Sequence, residues 1–447
     1  MKAVWNRIVF FYLFIKLFTK RHLSLLTSAF VIGFFITLLS YKFFPVLKTL
    51  VFPNKKVIGI VGEYTPTNLP LSIQGLIGSG LTKISPDGSP IPALASSWES
   101  TDSGRLYLFH LKPNLLWHDG KTFIASDVKY TIKDATVTSP DDNTLKIELK
   151  EPFSPLPVVL SRPIFRPNLI GLGIYRVTNL KYKAETITTL TLSPLKDDLP
   201  ILEYKFYPTM DEAILAFKIG EINTLMEVPI SESFSSWKNV KITPVEEHDR
   251  FLGIFYNTKD DLLKDKESRQ GLTFAIPSFD DRERLYSPIS SSSWAYYNKV
   301  RIYKNDPENA QRIIDKTPLA TSSAEITLST YALYLPIAQK VADAWNKIGV
   351  KTKVKVETVL PSDYQAILLA QEIPSDPDQY QFWHSKEIET NLSHYSNLKI
   401  DKLLEDGRKT LDLDKRKKIY ADFQRYLVDD DPVAFLFFPK VYTVERL

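Results

Sequence analysis

A two-lobed α/β protein is predicted by three features of the sequence. Strand–helix–strand units occur far apart in the chain, near 201–228 and 325–356, with strand hairpins near 105–111 and 144–149. The 447 residues are also too many for one ordinary core, since single domains run to roughly 100–200 residues.

The chain opens on basic and apolar sequence. Residues 1–56 hold nine Lys or Arg and no acid. Within them "LSLLTSAFVIGFFITLLSY", Leu23 to Tyr41, carries no charge; at about 1.5 Å per residue it reaches roughly 28 Å, the thickness of a bilayer's hydrocarbon. The sequence predicts a transmembrane helix here. It is retained as an anchor, because "KFFPVLKTLVFPNKK" follows in place of a small-residue cleavage site. The shorter run "IVFFYLFI", 8–15, is expected to lie in the membrane interface. Five bases precede the span, so the N-terminus is expected in the cytoplasm and the body outside.

Beyond the anchor, "KVIGIVG" reads as the first strand and "LYLFHL" as another. In "LWHDGKTFIASDVKYTIKDA", Asp119-Gly120 is a turn dipeptide. Ser126 stands where an N-cap would, with Asp127 beside it and Val128, Ile132 and Ala135 on one face of an expected helix. Those assignments leave His118 alone without a structural role. "LEYKFYPTMDEAILAFKIGEINTLMEV" gives a strand near 201–207, a helix near 210–219 and Gly220 as its C-terminal cap. "EITLSTY" is a strand, and "LPIAQKVADAWNKIG" places Ile337, Val341, Ala344, Trp345 and Ile348 on one helical face, with Pro336 at its start and Gly349 past its end. "VKTKVKVET" alternates valine with lysine as a strand does. A last helix aligns Ile419, Phe423, Tyr426 and Leu427 before the buried strand "VAFLFF". The serine run at 287–293 is expected to be a loop.

Composition excludes several functions. The net charge of +4 resides in the N-terminal segment, and the remainder has 47 bases against 52 acids. A mildly acidic body does not suit a phosphate backbone, so nucleic acid is not an expected partner. The chain has no cysteine, which removes disulfides, thiolate metal sites and a thiol nucleophile. Six histidines are present without HExxH spacing, and GxSxG, Walker A and GxGxxG are absent. No metal or cofactor is expected, nor a catalytic residue. Acids and aromatics gather at 372–397, where Asp376, Asp378, Tyr380, Trp383 and Tyr395 would make a cleft wall for a polar organic ligand or else an ordinary loop around one buried Trp.

The order of these segments resembles a known family, the extracytoplasmic solute-binding proteins of family 5, which serve bacterial ABC importers of oligopeptides and dipeptides. The resemblance starts at "ISPDGSPIPALASSWESTDSGRLYLFHLKPNLLWHDGKTFIASDV" and continues through "AILAFKIGEINTLMEVP", "GIFYNT", "SSWAY", "SDPDQY" and "LDKRKKIYADFQRYLVDDDPVAFLF", covering about 57–447. It implies a type II periplasmic-binding-protein-like fold that captures peptides or similar small solutes between two lobes as a monomer and hands them to permease subunits. The implied layout is an anchor at 1–56, a first lobe at 57–265 with a small accessory subdomain at about 81–170, a second lobe at 266–430 and a return to the first lobe at 431–447. The implied cleft residues are Tyr64 and Thr65, from the loop after the first strand, with Glu372, Asp376, Asp378, Trp383 and Tyr395. Departures from the family pattern are a trimmed accessory subdomain, an early end at "VYTVERL", the membrane anchor, and Ile373 where peptide binders carry an aspartate for the ligand's ammonium. They leave open a tethered sensor or scaffold that no longer takes part in transport. A hydrolase using His118 and Asp119 is the other alternative.

Overall fold

The computed structural model describes residues 2–25, 27–30, 32–37, 54–229, 234–279, 282–321 and 325–447. Lys2–Arg21 is a helix that takes in the run 8–15, and residues 23–25, 27–30 and 32–37 are also helical. Phe10, Phe14 and Phe18 stand exposed on it and stack in sequence, with centroids 6.4 and 6.1 Å apart. Of the expected span 23–41, residues 26, 31 and 38–41 lie outside the described set. Among the described residues no helix is long and apolar enough to cross a membrane.

Two sheets carry the body. The first has seven strands in the order Val240–Glu246, Lys440–Arg446, Thr224–Val228, Lys55–Val61, Ile201–Tyr207, Thr186–Pro194 and Tyr175–Lys183. Its centre is parallel: Lys55–Val61 pairs with Ile201–Tyr207 and Thr224–Val228. Met210–Ile219 is the crossover helix, and Thr209 accepts a hydrogen bond from Glu212 N at its start.

The second sheet has five strands in the order Thr352–Glu357, Ile326–Tyr331, Ala366–Glu372, Arg250–Tyr256 and Val433–Phe437. Both of its faces are covered, and the sequence shows how. In "RFLGIFY", Leu252, Ile254 and Tyr256 enter one core, while Phe251 and Phe255 enter the opposite one, as the two-residue period of a strand requires. Leu335–Lys347 crosses between two parallel strands of this sheet and buries Ala338, Val341, Ala342 and Trp345. The Trp345 indole donates to the Leu272 carbonyl at 2.9 Å. In Leu413–Asp430 the buried side includes Arg416, Tyr420, Gln424 and Val428 besides the expected Phe423 and Leu427, and Ile419 and Tyr426 are only half-buried.

A four-stranded antiparallel sheet, in the order Ala95–Thr101, Leu106–Leu111, Thr144–Leu149 and Ala135–Asp141, forms the accessory unit beside the hairpin Thr82–Ile84 and Pro90–Pro92. The helix expected after Ser126 is absent there. A single 3-10 turn, Ala125–Asp127, takes its place, and the chain enters a strand at Ala135. Asp127 accepts from the Trp117 indole at 3.0 Å and from Ile124 N at 3.2 Å. That tertiary bond to a buried Trp overrides the local capping pattern, and Val128 packs in the accessory core.

The chain crosses between the sheets twice. Strand Val240–Glu246 continues through 247–249 into Arg250–Tyr256, and Val433–Phe437 continues through Phe438-Pro439 into Lys440–Arg446. The crossings touch: Glu247 N donates to the Pro439 carbonyl at 2.9 Å, and the His248 ring meets the Phe438 ring at 4.5 Å. Expected boundaries at 265/266 and 430/431 thus differ from the observed crossings. Residues 250–256 and 433–437 belong to the second sheet, because their alternating apolar side chains fill its two cores.

Candidate functional site

Both lobes and the crossings meet at one charged cluster. Arg250 opens its strand directly across from Glu372 on the neighbouring strand. Its Nε lies 3.4 Å from an Asp249 oxygen and 3.7 Å from a Glu247 oxygen. Burial works against the charge on Arg250, but the Asp249 hydrogen bond and the Glu247, Asp249 and Glu372 carboxylates outweigh it and raise its pKa.

From the first lobe comes Glu227, at a bulge where pairing with Lys440–Arg446 slips. Its φ of 58° is left-handed backbone on a residue with a side chain, a strained conformation that bulges hold beside functional clefts. Burial pushes the Glu227 carboxyl up, Arg250 pulls it down and Asp249 raises it again. Glu247 is raised by burial and by Asp249 and Glu227, against the pull of Arg250. Two tyrosines border the group. Tyr64 is raised by burial and Glu227, and Tyr334, ahead of helix Leu335–Lys347, is raised by burial and Glu247. Four carboxylates around one guanidinium leave the cluster electronegative.

On the other side of the crossing, a cavity of about 190 Å³ opens between the accessory loop at Ser85 to Gly88, His248 and Asp249, and the loop at Ile373 to Ser375. The walls already touch. Trp294 N donates to the Asp87 carbonyl at 2.9 Å. Gly88 has φ +84°, and a Cβ there would lie 2.5 Å from the Ser375 carbonyl oxygen, so only glycine fits. Ser154 N also donates to the Arg408 carbonyl at 2.8 Å, and Lys409 pairs with Glu151 at 3.2 Å. The accessory unit therefore closes one end of the cleft against the second lobe.

Of the residues expected in the cleft, Glu372 lies across from Arg250, and Tyr64 lies within electrostatic reach of Glu227, with its hydroxyl on the Val61 carbonyl and its ring against Phe206. Thr65 lies in the same loop as Tyr64, where its N–H and hydroxyl are held by Asn68. The remaining four do not reach the cleft. Asp376 is buried against Arg416, which donates to both carboxylate oxygens, at 2.9 Å to Oδ2. Asp378 receives Arg408 Nε at 3.0 Å and Nη2 at 2.8 Å, and burial pushes its pKa up against the pull of Arg408. Trp383 is 1 % exposed in the second-lobe core and donates to Gln379 Oε1 at 3.1 Å. Tyr395 is buried with its hydroxyl on Asp430. Each of the four is engaged by an internal partner of the second lobe.

Glu227, Glu247, Asp249 and Arg250 carry no motif in the sequence. The available signal was "VEEHDR", a dense charged break between two extended runs, which reads as a strand passing from one lobe to another only once the pairing is known.

His118 and Asp119 are turn residues. Gly120, at φ +80°, closes the turn with its N–H on the Trp117 carbonyl at 2.8 Å. His118 Nε2 bonds the Gly173 carbonyl at 2.9 Å, and Asp119 accepts from Arg166 at 3.3 Å. His118 thus fastens the motif to the 171–173 segment and does not face a reacting partner. Among the described residues no group of three or more His, Asp or Glu is placed to hold a metal ion.

Known proteins share this architecture. The oligopeptide-binding protein AppA of Bacillus subtilis is 24 % identical over 86 % of each chain, and the dipeptide-binding protein of Escherichia coli is 22 % identical over 80 % of this chain and 82 % of its own. The substrate-binding protein CtaP of Listeria monocytogenes superposes with a TM-score of 0.75 at 22 % identity, over 88 % of this chain and 94 % of its own. AppA in complex with a nonapeptide superposes at 0.66 with 23 % identity and the same coverage. At these identities the superpositions establish the shared two-lobed fold. Residues 89–385 match the family model of the bacterial extracellular solute-binding proteins, family 5 Middle, and the chain belongs to that family.

Proposed function

We propose that the protein is a membrane-tethered extracytoplasmic receptor that takes peptides, or similar small solutes, between its lobes and delivers them to an ABC permease. This reading rests on Arg250 and Glu372, cross-strand neighbours in the second sheet beside the crossings, within electrostatic reach of Glu227 on the first sheet, which in turn acts on Tyr64. A solute that touches both walls binds the closed arrangement better than an open one and shifts the population toward it. An electronegative cleft favours a solute with an ammonium group, and the cavity behind Asp249 has serine hydroxyls and backbone at its rim for polar contact. Family membership and the named binding proteins among the relatives support the substrate class. The acid-free basic segment 1–56 and the apolar stretch 23–41 support the tether.

Native mass spectrometry of the full-length chain, solubilised in detergent from its own cells, tests the proposal. Short peptides should leave with the protein and appear on its release. A protein that stays empty against peptide, sugar and metal panels overturns it. A second reading, a tethered sensor without transport, is favoured by Ile373, whose N–H is taken by the Asp249 carbonyl at 2.6 Å and whose side chain offers no charge to an ammonium. Uptake of labelled peptide that persists unchanged when the gene is deleted would favour the sensor.

A further inference from the structure

Arg284 is a feature of the second lobe that its packing does not explain. Its Nε is fully enclosed without a hydrogen-bond partner, and among the described residues the group makes no ion pair. The acid that acts on it electrostatically is Asp431, alongside the tyrosines Tyr256 and Tyr286, and burial depresses its pKa. Asp431 does not neutralise it by contact: one of its oxygens is likewise enclosed and unpartnered, and burial holds the carboxyl up to about 7. A guanidinium does not shed its proton in a protein, so this half-buried, unpaired charge with one enclosed nitrogen is stabilised by an anion that reaches it.

Space for that anion adjoins it. Arg284 lines a cavity of about 430 Å³ together with Arg282, Lys304, Asn305, Phe279 and Tyr286. Arg282 donates to the Phe438 carbonyl at 3.4 Å and lies over the Phe437 ring at 4.8 Å, which fixes its position on the wall. Asp280 and Asp281, between Phe279 and Arg282, lie outside the described residues. All the lining residues fall in 276–305 or at Phe437, so the cavity lies in the second lobe; Arg282, Arg284 and Tyr286 also line an adjoining space of about 210 Å³ that reaches Glu246 and His248 at the crossing. Its volume lies within the roughly 300–1,000 Å³ usual for small-molecule sites.

We propose that this cavity is a second binding site, separate from the cleft between the lobes, for a compact oxyanion group, a carboxylate or a phosphate, paired with Arg284 and aided by Lys304. Planar donors facing an oxyanion give charge-assisted bonds in a fixed geometry.

The test is a thermal-unfolding titration of the full-length protein in detergent with phosphate and, separately, succinate, against sodium chloride at matched ionic strength. One of the two anions should raise Tm saturably by several degrees, and which one does so tells an inorganic phosphate from an organic acid. Arg284→Met should weaken that response at least tenfold and, without anion, unfold at the same or a higher temperature than the parent. If Arg284→Met does not fold, Lys304→Gln, at an exposed position, should weaken the response several-fold. X-ray scattering should show an unchanged radius of gyration on anion addition. A response equalled by chloride, one that survives Arg284→Met or, failing that variant, Lys304→Gln, or one accompanied by lobe closure overturns the proposal.

Discussion

Two acidic regions of this molecule look alike as composition and behave oppositely. In the 376–378 loop each of the two aspartates has its own guanidinium: Asp376 is held by Arg416 and Asp378 by Arg408, in or near the second-lobe core. At the crossings Glu227, Glu247, Asp249 and Glu372 share Arg250. The first arrangement leaves no oxygen for a ligand and ties a loop to a helix. The second leaves excess negative charge at the junction of two lobes, where a solute can be held. What separates a fastener from a recognition surface is the ratio of partners to charges and where the partners come from.

The difference predicts where substitutions act. Arg416→Ala strands a buried carboxylate and should lower stability by about 3–5 kcal/mol, measured by urea unfolding. A cost under about 1 kcal/mol would mean that Asp376 is not held as described. His118→Ala should cost about 1–2 kcal/mol through the lost bond to the Gly173 carbonyl, with peptide affinity unchanged by calorimetry. A loss of affinity without a loss of stability would move His118 into the ligand site. Glu372→Gln should do the reverse. Stability stays within about 0.5 kcal/mol, while affinity for peptides with a free amino terminus falls about tenfold, or ~1.4 kcal/mol, and affinity for N-acetylated peptides changes little. Equal losses for both peptide types would remove ammonium recognition from the crossing cluster.

The smallest effect expected is a pH dependence. Glu227 and Glu247 have folded pKa values above the ordinary 4.5. Above that pH the unfolded chain gives up these protons while the fold retains them, so the folded state binds more protons and stability falls as pH rises. The contribution is fully present below 4.5 and is lost as pH climbs through the raised folded values. In a series of melts rising from pH 4.5, Glu227→Gln with Glu247→Gln should flatten this decline. An unchanged slope would show that the two carboxyls titrate as free ones do.

Much of the fold was legible in advance because it follows from local periodicity. The helix at 335–347 and its flanking strands were set by apolar spacing, with Pro336 and Gly349 marking the ends, and "KVIGIV" and "VAFLF" could only be buried strands. Where periodicity competed with a distant partner, the partner won. Asp127 looked like the first turn of a helix, but its carboxylate is taken by the indole of Trp117. The site was less legible for the same reason. Tyr64, in the loop after the first strand, and Glu372, beside Ile373, were named from the resemblance, and in the fold they lie near Glu227 and across from Arg250. Asp376, Asp378, Trp383 and Tyr395 were misjudged because Arg416, Arg408, Gln379 and Asp430 can be recognised as their partners only after the chain has folded back on itself.

By itself, then, the sequence determined the two α/β lobes, the basic, apolar N-terminal segment, the absence of thiol chemistry and the ordered signature of the family. All of these depend on residue type and spacing along the chain. Only the tertiary structure decided where the chain crosses between the sheets, which carboxylates are consumed in pairs and which remain around Arg250, and that Arg284 Nε is enclosed without a hydrogen-bond partner. Those outcomes depend on contacts between residues far apart in sequence, where burial and the count of nearby opposite charges fix what each polar group is free to do.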